Sequence, residues 1–222
     1  MTKLKNFILI FTNTPRSFAY FYHLKKDNLL PKYLIYLDNQ KKTHLVNNYK
    51  YFKGFNIEKE CEKFKISFSK FNTSLIDNPF VLKFLKKIKL KKIIYSGYPS
   101  YVIKNKNLLK QKILIHTHSG KLPEFRGSTT IFYSILLKKK IFCTTFRMNA
   151  NIDSGKILFV REYPIPKKRI EINNIYDEFI RAQNLVSYLK SKKKTFKMKK
   201  IKGVSYFISH PIIRYLALTK KI

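Results

Sequence analysis

His116-Thr117-His118-Ser119-Gly120-Lys121-Leu122-Pro123-Glu124-Phe125-Arg126-Gly127 is the stretch whose reading decides the fold of this chain. The run Lys112-Ile113-Leu114-Ile115 leads straight into the two histidines, and the loop after them closes on Arg126-Gly127. The helix-like Ser128 to Leu137 follows. A buried strand that ends in imidazoles and opens into a turn-rich loop is how α/β proteins present reactive side chains, because their ligands sit beyond the carboxyl ends of the strands. Downstream, Asn151-Ile152-Asp153-Ser154-Gly155 puts a carboxylate on a second short turn between apolar runs. If the two turns are neighbours, a histidine of the first finds its carboxylate partner in Asp153.

The flanking sequence supports an α/β fold. Phe7 to Phe11 is an all-apolar run of the kind buried in a parallel sheet. Thr12-Asn13-Thr14-Pro15 supplies a helix cap with an early proline, and the helix leads to a second strand at Tyr33 to Leu37. The first turn lacks Gly-x-Gly-x-x-Gly, which counts against a dinucleotide cofactor. A helix near Ile57 to Glu62, a short strand Lys65 to Phe68 and a helix opened by Asn78-Pro79 come next, the last with Phe80, Val81, Phe84, Leu85 and Ile88 on one face. Further on are a strand Ile93 to Ser96, a helix Ser100 to Leu109, the histidine strand and a helix Thr129 to Leu137. Strands Phe142 to Met148 and Ile157 to Tyr163 flank the Asp153 turn. One long helix spans Glu171 to Lys190 with Ile175, Phe179, Leu185, Val186 and Leu189 inward. The alternation predicts a Rossmann-like, mostly parallel sheet with helices on both faces. Residues 1–190 read as the catalytic domain. Residues 191–222 read as a Lys-rich arm followed by a short strand and a helix capped by Ser209.

Composition narrows the class. A length of 222 residues allows one domain or one domain with a small appendage. The two cysteines, Cys61 and Cys143, lie far apart in no metal spacing, which fits a reducing, cytoplasmic setting. The His116-x-His118 pair could chelate zinc only with a ligand from elsewhere, so no metal is expected. No apolar stretch is long enough to span a bilayer. The balance is 47 basic against 12 acidic residues, a formal net charge of +35, and such a field draws anions. A strongly AT-biased coding sequence, rich in Lys, Ile, Asn, Phe and Tyr, accounts for the same charge without a partner. No aromatic-interleaved RNA motif accompanies the lysines, so nucleic acid is not the expected ligand.

His118, Leu122-Pro123, Arg126-Gly127 and Asp153-Ser154-Gly155 together resemble the family of 10-formyltetrahydrofolate-dependent formyltransferases. Its pattern is Asn-x-His-x-Ser-x-Leu-Pro-x-x-Arg-Gly, with an Asp-x-Gly turn roughly 25 to 35 residues on. The resemblance covers residues 5 to 190. It implies His118 and Asp153 as the catalytic imidazole and carboxylate, and His116 at the position of the family asparagine, whose amide donates to the developing oxyanion. Imidazole can donate as well. It also implies Tyr95, Gly97, Tyr98 and Ile152 around the folate co-substrate, and Ser119, Gly120 and Arg126 toward the acceptor substrate. Gly120 stands where the commoner loop residue is Ser, which loosens that backbone.

The acceptor is a further expectation. Methionyl-tRNA formyltransferases carry an additional tRNA-gripping domain, whereas only residues 191–222 follow the long helix here. A glycinamide-ribonucleotide-type enzyme of this length would have a Gly-rich first turn, and Phe11 to Pro15 stands there instead. The tail Tyr206 to Leu218 is similar to that of stand-alone sugar N-formyltransferases. A nucleotide-linked amino sugar is therefore the favoured amine, with a homodimer left open. The competing classes are the glycinamide-ribonucleotide-type enzyme and a catalytically silent basic protein that binds nucleic acid or another anion.

Overall fold

The computed structural model describes residues 4–39, 54–98, 101–191 and 203–219, apart from the side chains at 173 and 174. Seven strands form one sheet in the order β3-β2-β1-β4-β5-β7-β8. They are β1 (Lys5–Thr12), β2 (Pro31–Leu37), β3 (Ser67–Phe71), β4 (Lys92–Tyr95), β5 (Ile113–His118), β7 (Ile141–Arg147) and β8 (Lys156–Tyr163). The pairs β1–β2, β1–β4, β2–β3 and β4–β5 are parallel, and β7–β8 is an antiparallel hairpin. A second, two-stranded sheet joins β6 (Phe125–Gly127) to β9 (Val204–Tyr206). This is the α/β, mostly parallel architecture expected from the alternation. The chain divides into two compact units, Met1–Ile115 and His116–Ile222.

In the first unit, Phe7 to Phe11 are all buried, as a strand covered on both faces requires. Each such side chain contributes roughly 1.5–3 kcal/mol of hydrophobic stabilisation. The turn into α1 (Pro15–Lys26) is built from hydroxyls. Thr14 is the N-cap and accepts from Ser17 N–H, with Pro15 in the first turn where its missing N–H is not needed. Ser17 Oγ accepts from Thr12 N–H at 3.0 Å and donates to Ser96 O at 2.9 Å, and Thr12 Oγ1 donates to the same carbonyl at 2.9 Å. Side-chain oxygens thus satisfy the backbone of a turn that Gly-rich loops satisfy otherwise. The helices α2 (Ile57–Lys63), α3 (Pro79–Lys87) and α4 (Lys106–Gln111) complete the unit, each opened by an asparagine N-cap: Asn56, Asn78 and Asn105.

Three expectations in this unit need correction. The strand after α2 runs Ser67–Phe71, not from Lys65, whose φ of 54° leaves it in the turn. Phe80 is 74% exposed while Val81 and Leu85 are buried: the inward stripe of the helix runs through positions 81 and 85, four apart, and Phe80 lies to one side of it. The helix placed at Ser100 to Leu109 is the shorter Lys106–Gln111, since Asn105 caps Leu108 N–H and Asp77 Oδ2 accepts from the N–H groups of Lys104 and Asn105. Residues 99–100, like most of the Lys-rich arm (192–202), lie outside the described residues.

The second unit packs α5 (Thr130–Lys138) and α6 (Asp177–Lys190) with β7 and β8. Its core includes Ile131, Phe132, Ile135, Ile141, Cys143, Tyr163, Ile172, Ile180 and Ala217. The long helix is not uniform: Ile172–Tyr176 is one π-helical stretch ahead of α6. Ile180, Ala182, Asn184, Leu185 and Val186 are its buried residues, while Phe179 and Leu189 are half-buried. The final helix α7 (Pro211–Thr219) packs on α5. Its first turn is capped by His210, whose Nδ1 accepts from Ile212 N–H at 3.3 Å. Ser209, expected in that role, instead donates its N–H to Thr129 Oγ1 at 2.7 Å and accepts from Arg214 Nε at 3.0 Å.

Candidate active site

His118 ends β5 and is buried, 4% exposed. Its Nε2 lies 2.9 Å from the Phe125 carbonyl and 3.1 Å from Thr130 Oγ1. A carbonyl can only accept, and the Thr130 hydroxyl already donates to the Ser119 carbonyl, so both oxygens require a proton on Nε2. In the neutral ring, Nδ1 therefore carries the lone pair. That atom faces Asp153 Oδ2 at 3.5 Å. The two turns singled out in the sequence do converge.

Asp153 is held from two sides. Its Oδ2 accepts from Gly127 N–H at 3.0 Å. Its own backbone is left-handed, φ 44°, a conformation Asp tolerates better than most residues. The turn is braced by Asn149 Oδ1, which accepts from Asn151 N–H at 3.0 Å and from Ser154 Oγ at 2.9 Å. Burial pushes the His118 pKa below its ordinary value; Asp153 opposes the shift, Arg181 reinforces it, and the Phe125 carbonyl and Asp177 also oppose it. Burial wins, leaving a neutral ring with its basic nitrogen beside a carboxylate. Such a group can take a proton during a reaction and have the resulting imidazolium stabilised at once.

The remaining site residues fall into distinct settings. Ser119 is buried, and its hydroxyl accepts from Arg181 Nη2 at 2.7 Å. Gly120 is closely surrounded: a Cβ there would stand 2.7 Å from His118 Nε2 and 2.9 Å from both Phe125 O and Thr130 Oγ1. Glycine at this position lets the loop fold over the imidazole's hydrogen bonds, so it is a point of close approach. Arg126 lies in the middle of β6, with its Nε buried and without a hydrogen-bond partner among the described residues. His116 is half-buried, its ring edge-on to Phe146 with centroids 6.0 Å apart. Ile152 is exposed on the Asp153 turn. Tyr95, Gly97 and Tyr98 belong to the first unit. There Tyr95 and Tyr98 are buried, Tyr98 Oη accepts from Asn39 N–H at 3.2 Å, and a Cβ at Gly97 would fall 2.0 Å from Tyr95 Oη.

Several functional groups escaped the sequence reading. Arg181 on α6 makes a bidentate pair with Asp177 and also donates to the Thr117 carbonyl at 3.3 Å. Asn184 donates to Thr145 Oγ1 at 2.9 Å, which in turn meets Thr117 Oγ1 at 2.9 Å. These bonds fasten the end of β5 to β7 and α6. The Asp177/Arg181 spacing of four was a legible helical pair, but nothing in it pointed to β5. Thr130 and the Phe125 carbonyl carry no sequence signal, and Gly127, though part of the Arg126-Gly127 motif, gave no hint that its N–H meets Asp153. Among the described residues, no group of three His, Cys, Asp or Glu side chains is placed to hold a metal, and no helix is long and apolar enough to cross a membrane. Cys61 and Cys143 are free and buried; burial pushes the Cys61 thiol up to about 12 and the Cys143 thiol well above its usual range.

The buried imidazoles make stability depend on acid. Burial lowers the pKa of His118 and also of His23 in α1. Above a pH of about 6.5 neither folded nor unfolded chain protonates these rings, and their effect vanishes. Below it the unfolded chain binds protons that the native rings refuse, so stability falls until pH reaches the lowered native values. Thermal melts should show Tm declining as pH drops below about 6.5, and less steeply in a His118→Gln variant. Identical slopes for variant and wild type would refute the assignment of His118 as a buried neutral ring.

No family model matches the chain, and no curated protein sequence matches it. Solved structures do. A sugar N-formyltransferase from a Shewanella species superposes with a TM-score of 0.58 at 16% identity, covering 96% of this chain and 86% of that one. The chain has the formyltransferase fold. An N-formyltransferase from Helicobacter canadensis, in complex with folinic acid and dTDP-3-aminofucose, matches with a TM-score of 0.55 at 16% identity over 90% of this chain and 70% of its own. Phosphoribosylglycinamide formyltransferase from Bacillus halodurans matches with a TM-score of 0.55 at 15% identity over 83% of this chain and 95% of its own. Within the formyltransferase fold, His118 and Asp153 stand at the carboxyl end of a sheet strand and on a neighbouring hairpin turn, where open α/β sheets carry their chemistry.

Proposed function

We propose that this protein transfers a formyl group from 10-formyltetrahydrofolate to the amine of a nucleotide-linked amino sugar. The observation that carries the reading is the His118–Asp153 pair, a buried neutral imidazole whose basic Nδ1 faces a carboxylate at 3.5 Å, on this fold. The amine nitrogen bonds to the formyl carbon, and the resulting tetrahedral carbon bears an oxyanion and an ammonium. His118 Nδ1 takes a proton from that ammonium, with Asp153 stabilising the imidazolium, and returns it to the folate nitrogen as the bond from carbon to that nitrogen breaks. His116, in the place of an amide, is assigned to donate to the oxyanion. Tyr95, Gly97, Tyr98 and Ile152 are assigned to the folate, and Ser119, Gly120 and Arg126 to the acceptor.

The Helicobacter canadensis neighbour, crystallised with a folate and a nucleotide sugar, supports this choice of substrates, and the excess of lysines suits a phosphorylated acceptor. A second reading, transfer to a phosphorylated ribosyl glycinamide, has one favouring observation: the chain spans 95% of the Bacillus halodurans enzyme. The purified chain, incubated with 10-formyltetrahydrofolate and a panel of amines, should release tetrahydrofolate and yield an N-formyl product with at least one nucleotide-linked amino sugar. Formylation of phosphoribosyl glycinamide alone would select the second reading. No formylated amine, together with steeply salt-dependent binding to RNA, would replace both with a silent anion-binding protein.

A further inference from the structure

The strand β6 is only three residues long, yet its backbone supplies two of the groups that orient the proposed catalytic pair. The Phe125 carbonyl accepts from His118 Nε2 at 2.9 Å, and the Gly127 N–H donates to Asp153 Oδ2 at 3.0 Å. A strand this short does not hold its own position. Its ladder partner among the described residues is β9, near the end of the chain. The two run parallel in the register Phe125↔Val204, Arg126↔Ser205 and Gly127↔Tyr206. Val204 N–H donates to Glu124 O at 3.3 Å and Ser128 N–H to Tyr206 O at 2.9 Å, so the pairing extends past both ends of β6. The Tyr206 ring stacks on Phe125 (5.3 Å between centroids, 13° between planes) and leans on Tyr133 of α5 at 4.6 Å.

We propose that Tyr206 is a positioning residue: it seats β6 through backbone pairing and ring stacking, so the 203–209 segment acts as a strap that sets the geometry of His118 and Asp153. The kinetic part of this proposal rests on the formyl-transfer reading; the structural part does not. The phenol oxygen has no assigned role, which makes Tyr206→Phe the conservative control and Tyr206→Ala the disruptive variant. Tyr206→Leu keeps apolar bulk without the flat stack and serves if the alanine variant does not fold.

The test uses the full chain with labelled histidine. Long-range proton–nitrogen spectra report which ring nitrogen of His118 holds the proton, and a His118→Gln spectrum assigns the resonance among the five histidines. Asp153, Arg181 and Asp177 are the charged groups that act on this ring, so the spectra are compared at one pH and ionic strength. Wild type and Tyr206→Phe should show the Nε2–H form, with a slowly exchanging Gly127 amide. Tyr206→Ala (or Tyr206→Leu) should populate both tautomers and expose the Gly127 amide. It should lower kcat by up to about 100-fold, the effect of misplacing a catalytic group by about 1 Å, with KM changed far less. A single Nε2–H tautomer and a protected Gly127 amide in the folded variant would overturn the proposal. So would a Tyr206→Phe chain as impaired as Tyr206→Ala. If wild type formylates no amine, the functional reading falls, while the tautomer and amide-exchange measurements still decide the role of Tyr206.

Discussion

Replacing His118 by Gln should abolish most of the proposed formyl transfer, with kcat falling by about 10²- to 10⁴-fold, the usual contribution of a positioned acid–base group. The substitution is chosen for shape. A glutamine amide can still donate to the Phe125 carbonyl and fill the space under Gly120, so the loop keeps its support, but no basic nitrogen remains opposite Asp153. If that lone pair serves the proton transfer alone, KM should change little. Wild type carries its own control in the pH dependence. Because the native His118 pKa is lowered, kcat at saturating amine, which is free of the acceptor's own titration in solution, should stay flat through neutrality and decline only on an acid limb below about 6.5. A His118→Gln enzyme within a few-fold of wild type, or a wild-type acid limb above that value, would remove His118 from the chemistry.

Gly127→Ala should lower stability by about 1–3 kcal/mol from backbone strain alone, read as a drop in Tm. Gly127 has a φ of 95°, which L side chains avoid, and a Cβ would lie 2.2 Å from the Tyr206 carbonyl oxygen on the partner strand. The atom it meets is backbone, so a rotamer change cannot relieve the contact. Either β9 moves away or Gly127 does, and its N–H leaves Asp153 in the second case. Formyl transfer should fall along with Tm. An alanine variant that melts with wild type would show that this turn is more plastic than its geometry implies.

Much of this architecture was legible in the order of residues. Phe7 to Phe11 and Ile113 to Ile115 are apolar without alternation, the pattern of strands covered on both faces, and their turn-forming flanks favour strand over buried helix. The capping of α1 by Thr14 and Pro15 was equally plain, since both residues act on their own backbone neighbours. Less legible were features set by competition between neighbours. Nothing about Phe80 distinguishes it from Val81 until the helix is docked, and then one is exposed while the other is buried. Ser209 is a good N-cap by type, yet its hydroxyl is taken by Arg214 and its N–H by Thr129, so His210 caps α7 instead.

The candidate site divides in the same way. His118 and Asp153 could be named from the sequence because imidazole and carboxylate chemistry belongs to the side chain. Their orientation could not, because it is set by the Phe125 carbonyl, the Gly127 N–H and the Thr130 hydroxyl, groups that almost any sequence possesses. Nor could the contribution of the chain's end, which reaches this site through backbone pairing at Val204–Tyr206 across some eighty residues of sequence. By itself the sequence determined the class of fold and offered the two side chains proposed for the chemistry, since periodicity and the identity of a side chain are local properties. Only the tertiary structure decided which nitrogen of His118 is basic and what holds it there, because hydrogen bonds to backbone depend on where distant segments meet.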